Sequence, residues 1–186
     1  AVPVATPTMG ARVHRARKDI SQAHVVLGGA ATSVTDPRRH AFGLLGTLVG
    51  GGMSSRLFQR VREELGYAYS VYHFHSPFAD TGSHGIYLAS APETAQQALD
   101  AAREILRDVA ANGLPEAELE AGKQQLAGQL VMSLESVSAR MYRAATSALY
   151  HEPVRSIDEL LEEVAAVSVA QVADVARTFF DPDRAT

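Results

Sequence analysis

Residues 50–71 read Gly50-Gly51-Gly52-Met53-Ser54-Ser55-Arg56-Leu57-Phe58-Gln59-Arg60-Val61-Arg62-Glu63-Glu64-Leu65-Gly66-Tyr67-Ala68-Tyr69-Ser70-Val71. Three glycines interrupt the chain, and Ser54 or Ser55 then caps a helix over 54–65. Gly66 occupies the place after its end, where a left-handed backbone favours glycine. An aromatic-rich strand begins at once. The helix carries arginines 56, 60 and 62, and its abrupt stop delivers Arg60 and Tyr67 to one corner of the fold, where two hydrogen-bond donors act together.

Elements on either side follow from local patterns. Ser21 to Ala31 reads as a strand ending in small residues. Asp36-Pro37 reads as a helix start, with Asp as cap and Pro in the first turn. The helix through residues 40–49 is apolar nearly all round, which marks it as buried. Downstream, Ala68 to Ser76 and Gly82 to Ser90 read as strands joined by a hairpin over 77–82. Helical spacing of apolar residues runs from Pro92 to Asn112, and Gly113 ends it. Pro115 opens a further helix with acidic residues in its first turn, which suits the helix dipole. Leu119, Leu126, Leu130 and Leu134 mark its expected buried side. A helix over Val137 to Tyr150 follows. Ser156 with Glu159, and Ser168 with Gln171, fit capping boxes that begin two more helices, the last ending at Phe179-Phe180. A few antiparallel strands followed by segregated helices predict an α+β fold, an antiparallel sheet covered on one face by helices.

The 186 residues suit one domain. Residues 1–11 are small and Pro-rich and read as a linker rather than a signal peptide; 12–186 form the domain, with Arg12-Val13-His14-Arg15-Ala16-Arg17 as a charged edge strand. The chain does not begin with Met and reads as a piece of a longer one. With 17 basic against 21 acidic residues and a net charge of -4, there is no electrostatic reason to expect nucleic acid or an anionic membrane as partner. No apolar run approaches the roughly 20 residues of a membrane span. Cysteine is absent, which excludes disulfides and thiolate metal sites and leaves the compartment unread, with the cytoplasm favoured.

The seven histidines, at 14, 24, 40, 73, 75, 84 and 151, form neither His-Glu-x-x-His nor His-x-x-Glu-His. His151-Glu152 is followed by Pro153, which cannot continue such a helix. His73 and His75 share a strand face, and a hairpin near Ala79 brings His84 close to His75. The three imidazoles are either a zinc site or the polar, solvated face of a hairpin, and the second reading is the expected one. Ser54 and Ser55 lack a Gly-x-Ser-x-Gly elbow and read as caps. The glycine triplet has no Gly-Lys-Ser/Thr continuation and reads as a helix break or a close-approach point. Glu63-Glu64 and Glu162-Glu163 point different ways and read as solvated surface. Taken singly, Arg56, Arg60 and Arg62 read as an exposed basic stripe paired with Glu63 or Glu64.

Taken together, residues 50–71 resemble the second-half motif of the M16 (pitrilysin/insulinase-like, mitochondrial-processing-peptidase-like) zinc peptidases. Gln22-Ala23-His24-Val25, Asn112-Gly113-Leu114-Pro115-Glu116, the Ser138-Ala139-Arg140 region and the closing helix to Phe180 extend the resemblance over most of 12–182. The resemblance implies one half of a clamshell, of the LuxS/MPP-like metallohydrolase fold. The other half would carry His-x-x-Glu-His and zinc; this one would bind no metal. Arg60 and Tyr67 match the family's arginine and tyrosine, seven residues apart, and would bind substrate and the developing oxyanion. The implied partners are a metal-bearing homologous half, on the same polypeptide or separate, and a peptide substrate; this chain alone would be inactive. A homodimer formed through exposed apolar surface is a further expectation. The rival reading is a structural or scaffold subunit that keeps the fold without peptidase activity.

Overall fold

Side-chain alternation builds a sheet with two unlike faces. In the computed structural model, which describes Val13, Ala16 and residues 20–183, strands β1 (Ala23–Ala31), β2 (Ser70–Pro77) and β3 (Gly82–Ser90) pair antiparallel in the order β1-β3-β2. The expected linker lies outside the described residues, as does most of the expected edge strand over Arg12–Arg17. A tight hairpin joins β2 to β3, closed by Phe78 N–H donating to the Thr81 carbonyl at 2.8 Å. The register sets Val25, Leu88 and Val71 in one row, then Leu27, Ile86 and His73, then Gly29, His84 and His75, all on the same face. This inner face carries the core, with Leu27, Val71, Ile86 and Leu88 buried.

Helices cover that face. α1 (Arg39–Gly50) lies against β2, with Phe42, Leu44, Leu45 and Val49 fully buried, as its all-round apolarity requires. α6 (Val169–Phe179) packs beside it, and α2 (Ala95–Asn112) packs beside α6 and on the sheet. The start of α1 differs from expectation. Asp36 folds its carboxylate back onto the Arg38 N–H at 2.8 Å and its guanidinium at 2.9 Å. That local turn uses up the cap, so the helix begins two residues later, at Arg39. Two glycines one turn apart let α1 approach the sheet. A Cβ on Gly46 would meet the His73 ring at 2.6 Å, and one on Gly50 would meet the His73 backbone nitrogen at 2.6 Å.

α3 (Glu116–Ser133) starts at Pro115 with Glu116 and Glu118 in its first turn. Only Leu119 and Gly122 are buried along it; Leu126, Leu130 and Leu134 are half-buried, and Val131 and Met132 are exposed. The leucine spacing is correct, but the helix outruns the core it packs on. α4 (Val137–Leu149) buries no residue, and Leu149 is 71% exposed. α5 (Ile157–Ala165) and α6 both begin with the expected capping boxes, at Ser156/Glu159 and Ser168/Gln171.

Gly50→Ala is therefore expected to destabilise the protein by roughly 1–3 kcal/mol, because its Cβ meets backbone rather than a yielding side chain. Gly43→Ala, on the same helix with nothing within 4 Å of its added methyl, is expected to be neutral or stabilising by up to about 1 kcal/mol. Urea unfolding of the two variants checks the contrast.

Candidate functional site

The segment after α1 turns on three backbone features. The Ser55 hydroxyl donates to the Gly52 carbonyl at 2.6 Å and accepts from Phe58 N–H at 3.4 Å, so Ser55 is the cap. The helix then widens to a π turn over Phe58–Glu64, closed by Leu65 N–H donating to the Arg60 carbonyl, five residues back, at 3.1 Å. Leu57 and Val61 are fully buried and anchor it. Gly66 adopts φ +62, as expected of the residue past a helix end. Across it, Tyr67 N–H donates to the Val61 carbonyl at 3.0 Å. The Thr94 hydroxyl donates to the Tyr67 carbonyl at 3.0 Å, which ties the tyrosine backbone to the start of α2.

The three arginines have different surroundings. Arg56 makes a bidentate pair with Glu118, at 2.9 and 2.6 Å, and reaches Asp108 at 3.0 Å. It is a structural strut between the π turn, α2 and α3, which corrects the reading of it as a stripe residue paired with Glu63 or Glu64. Arg62 lies over the Phe58 ring at 4.7 Å and near Glu63 at 3.7 Å. Arg60 is exposed, with Glu64 at 2.8 Å, one turn away. The Glu64 carboxylate raises the Arg60 pKa, and Glu104 and Tyr67 lie near enough to add to that. Arg60 lines a surface groove of about 370 Å³ together with Gln59, Glu64, Glu104 and Ile105. Tyr67 is half-buried, its ring against the core.

The three strand histidines are neither a metal site nor a solvated face. They point inward, onto Phe42, which lies 4.4 Å from the His75 ring and 5.3 Å from His84 between ring centres. His84 Nε2 sits 2.9 Å from the Phe179 carbonyl, which only accepts, so this nitrogen carries the proton. His84 Nδ1 then accepts from His73 Nε2 at 3.2 Å. His75 Nε2 donates to the Thr32 carbonyl at 3.3 Å. Both ring nitrogens of His84, and one each of His73 and His75, are engaged with the protein. Among the described residues no group of three or more His, Cys, Asp or Glu side chains is placed to hold a metal ion. Burial lowers the pKa of all three. That of His73 falls to about 3, with His84 and His75 adding to the effect, and that of His84 to about 4, against the pull of the Phe179 carbonyl.

The opposite face of the sheet was missed in the sequence. There Tyr72 stacks on Tyr87 with ring centres 4.9 Å apart, and His24 Nδ1 lies 2.7 Å from the Tyr87 hydroxyl. Val26 is 57% and Tyr72 44% exposed. The signal was present in the alternation of β2, where Val71 faces in and Tyr72 faces out.

The family profile described as the peptidase M16 inactive domain matches residues 2–126. This chain belongs to the peptidase M16 family. It is similar to an uncharacterized zinc protease of Streptomyces coelicolor, 43% identical over 166 residues that make up 89% of this chain and 36% of that protein. An uncharacterized zinc protease of Bacillus subtilis is 37% identical over 91% of this chain and 41% of its own length. The chain thus spans about two fifths of these curated relatives. The fold of the M16 chain matches that of the peptidase M16 inactive domain from Pseudomonas fluorescens, with a TM-score of 0.80 and 24% identity over 89% of this chain and 39% of that one. A protease from Helicobacter pylori matches with a TM-score of 0.82 and 17% identity, over 91% and 41% of the two chains.

The inward histidines make the M16 chain acid-sensitive. Their folded pKa values lie below the unfolded value of 6.5, so the unfolded state takes up protons first. Stability is full above pH 6.5 and falls as the pH drops toward 4. With His73 and His84 together, the unfolding free energy is expected to fall by roughly 2 kcal/mol per pH unit between pH 6 and 5. Urea titrations at stepped pH measure it, and a flat profile would contradict the neutral-imidazole assignment.

Proposed function

We propose that this chain is the non-metal half of an M16 zinc endopeptidase, closing on a homologous metal-bearing half and holding the peptide with Arg60 and Tyr67. The relatives named zinc proteases are longer than this chain by the length of more than one such half, which leaves room for the partner on the same polypeptide. Zinc held by that partner would supply the Lewis acid. This chain's own residues bind and orient.

The observation that carries the proposal is the contrast between neighbouring arginines. Arg56 is spent on Glu118 and Asp108, while Arg60 stands at an open groove, ion-paired to exposed Glu64 with Glu104 also lining the groove. An exposed pair one turn apart restrains a side chain weakly. A peptide carbonyl or terminal carboxylate can therefore take the guanidinium from Glu64. The fork geometry of arginine suits either acceptor. Tyr67 sits across the Gly66 turn with its backbone fixed at both ends by Val61 and Thr94. Its phenol is a donor that arrives with little conformational freedom left to lose.

Arg60→Ala and Tyr67→Phe, each assembled with the metal-bearing half, are expected to lower kcat/KM for peptide hydrolysis by roughly tenfold or more, with circular dichroism unchanged. Unaltered rates in both variants would refute that role.

A further inference from the structure

Arg60 meets carboxylates from two directions. Glu64 pairs with it at 2.8 Å from its own segment, and exposed Glu104 lines the same groove from α2. The place of Glu104 follows from the neighbouring pair. Arg56 meets Asp108 of α2 at 3.0 Å. Arg60 lies one turn on from Arg56, and Glu104 one turn back from Asp108, so the second pair falls beside the first. Arg60 nevertheless bonds to Glu64. Among the described residues Glu104 has neither an ion pair nor a side-chain hydrogen bond. With Glu118 behind Arg56, four carboxylates surround the guanidinium groups of Arg56 and Arg60, so the groove carries a net charge of -2.

We propose that Glu104 is a specificity-determining residue, which keeps anionic peptide groups off Arg60 and reserves the guanidinium for an uncharged carbonyl within a peptide chain. The inference rests on the reading of Arg60 as a peptide grip. The arginine fork suits a carbonyl and a carboxylate alike, but its surroundings do not. A carbonyl that takes Arg60 from Glu64 brings no charge. A terminal carboxylate, or an Asp or Glu side chain, would add a third anion to Glu64 and Glu104 around one cation, and like charges held that close oppose binding. Arg56 cannot relieve the excess, because Glu118 holds its Nε and Nη2 while Asp108 holds its Nη1. Glu64 is offset by Arg60 until the peptide arrives. Glu104 is offset by no bonded cation among the described residues, before or after, so it carries the discrimination.

The test uses the enzyme assembled with its metal-bearing half and an acetylated, amidated fluorogenic peptide of uncharged residues. Gln is replaced by Glu at one position at a time, and kcat/KM for the Gln peptide is divided by that for the Glu peptide. The wild type is expected to show a ratio of roughly fivefold or more at one position, shrinking as sodium chloride rises from about 0.05 to about 0.5 M. Glu104→Gln should narrow that ratio by roughly threefold. Each ratio is taken within one preparation, so any loss of folded or assembled protein cancels. Glu135→Gln removes the same charge from an exposed site past the far end of α3 and should keep the wild-type ratio. The proposal is overturned if Glu104→Gln leaves the ratio as it is at every position, if salt does not change it, or if Glu135→Gln narrows it equally. Arg60→Ala separates this from the grip. Lost turnover in that variant, with the ratio unmoved by Glu104→Gln, keeps the grip and sinks the charge filter. Full turnover in Arg60→Ala, with the ratio narrowed by Glu104→Gln, sinks the grip and keeps the filter.

Discussion

The close approach of α1 to β2 is the constraint on which the other parts depend. Gly46 and Gly50 supply no side chains, and the His73 ring and backbone fill the space that their methyl groups would take. The imidazoles of His73, His75 and His84 and the rings of Phe42, Phe179 and Phe180 then form one layer between sheet and helices. The His84 bond to the Phe179 carbonyl draws the end of α6 into the same layer. With α1 held this way, its last residue, Gly50, lies at a fixed place over the sheet. Only a handful of residues separate it from the π turn, so the position of Arg60 follows from how closely the helix approaches the strand.

Charge is distributed to the same end. The carboxylates of Asp108 and Glu118 come from two different helices and converge on Arg56. That pairing holds the base of the π turn and leaves Arg60 one turn further along with only a local partner. A strand's two-residue repeat divides the sheet in a similar way. Alternate residues of β2 go to a dry layer of rings and to an open aromatic platform, and both surfaces start at the Gly66 turn.

Much of this was legible in the sequence. The hairpin, the glycine after the helix, the two capping boxes and the breadth of the apolar surface on α1 are local signals, and each appears where its chemistry put it. What was not legible depends on distant partners. Nothing near Arg56 announces Asp108 or Glu118, 52 and 62 residues away. His73, His75 and His84 were rightly grouped on one face, but the wrong side was chosen; Val71, of the same parity, was the available clue. Asp36 had two local uses, and the turn with Arg38 won over the helix cap. Leu130 and Leu134 keep helical spacing where the core has already ended, and periodicity carries no information about how far a core extends.

The wide turn over Phe58–Glu64 accommodates one residue more per closing bond than an α-helix would. Removing a single residue between Phe58 and Glu64 would let that segment relax to ordinary α geometry and swing the preceding guanidinium by about 100° around the axis. The tyrosine on the far side of Gly66, tied by its carbonyl to Thr94, would keep that anchor. Aim and anchorage are therefore separable here, and the direction of the cation is encoded by chain length rather than by the identity of any neighbouring side chain.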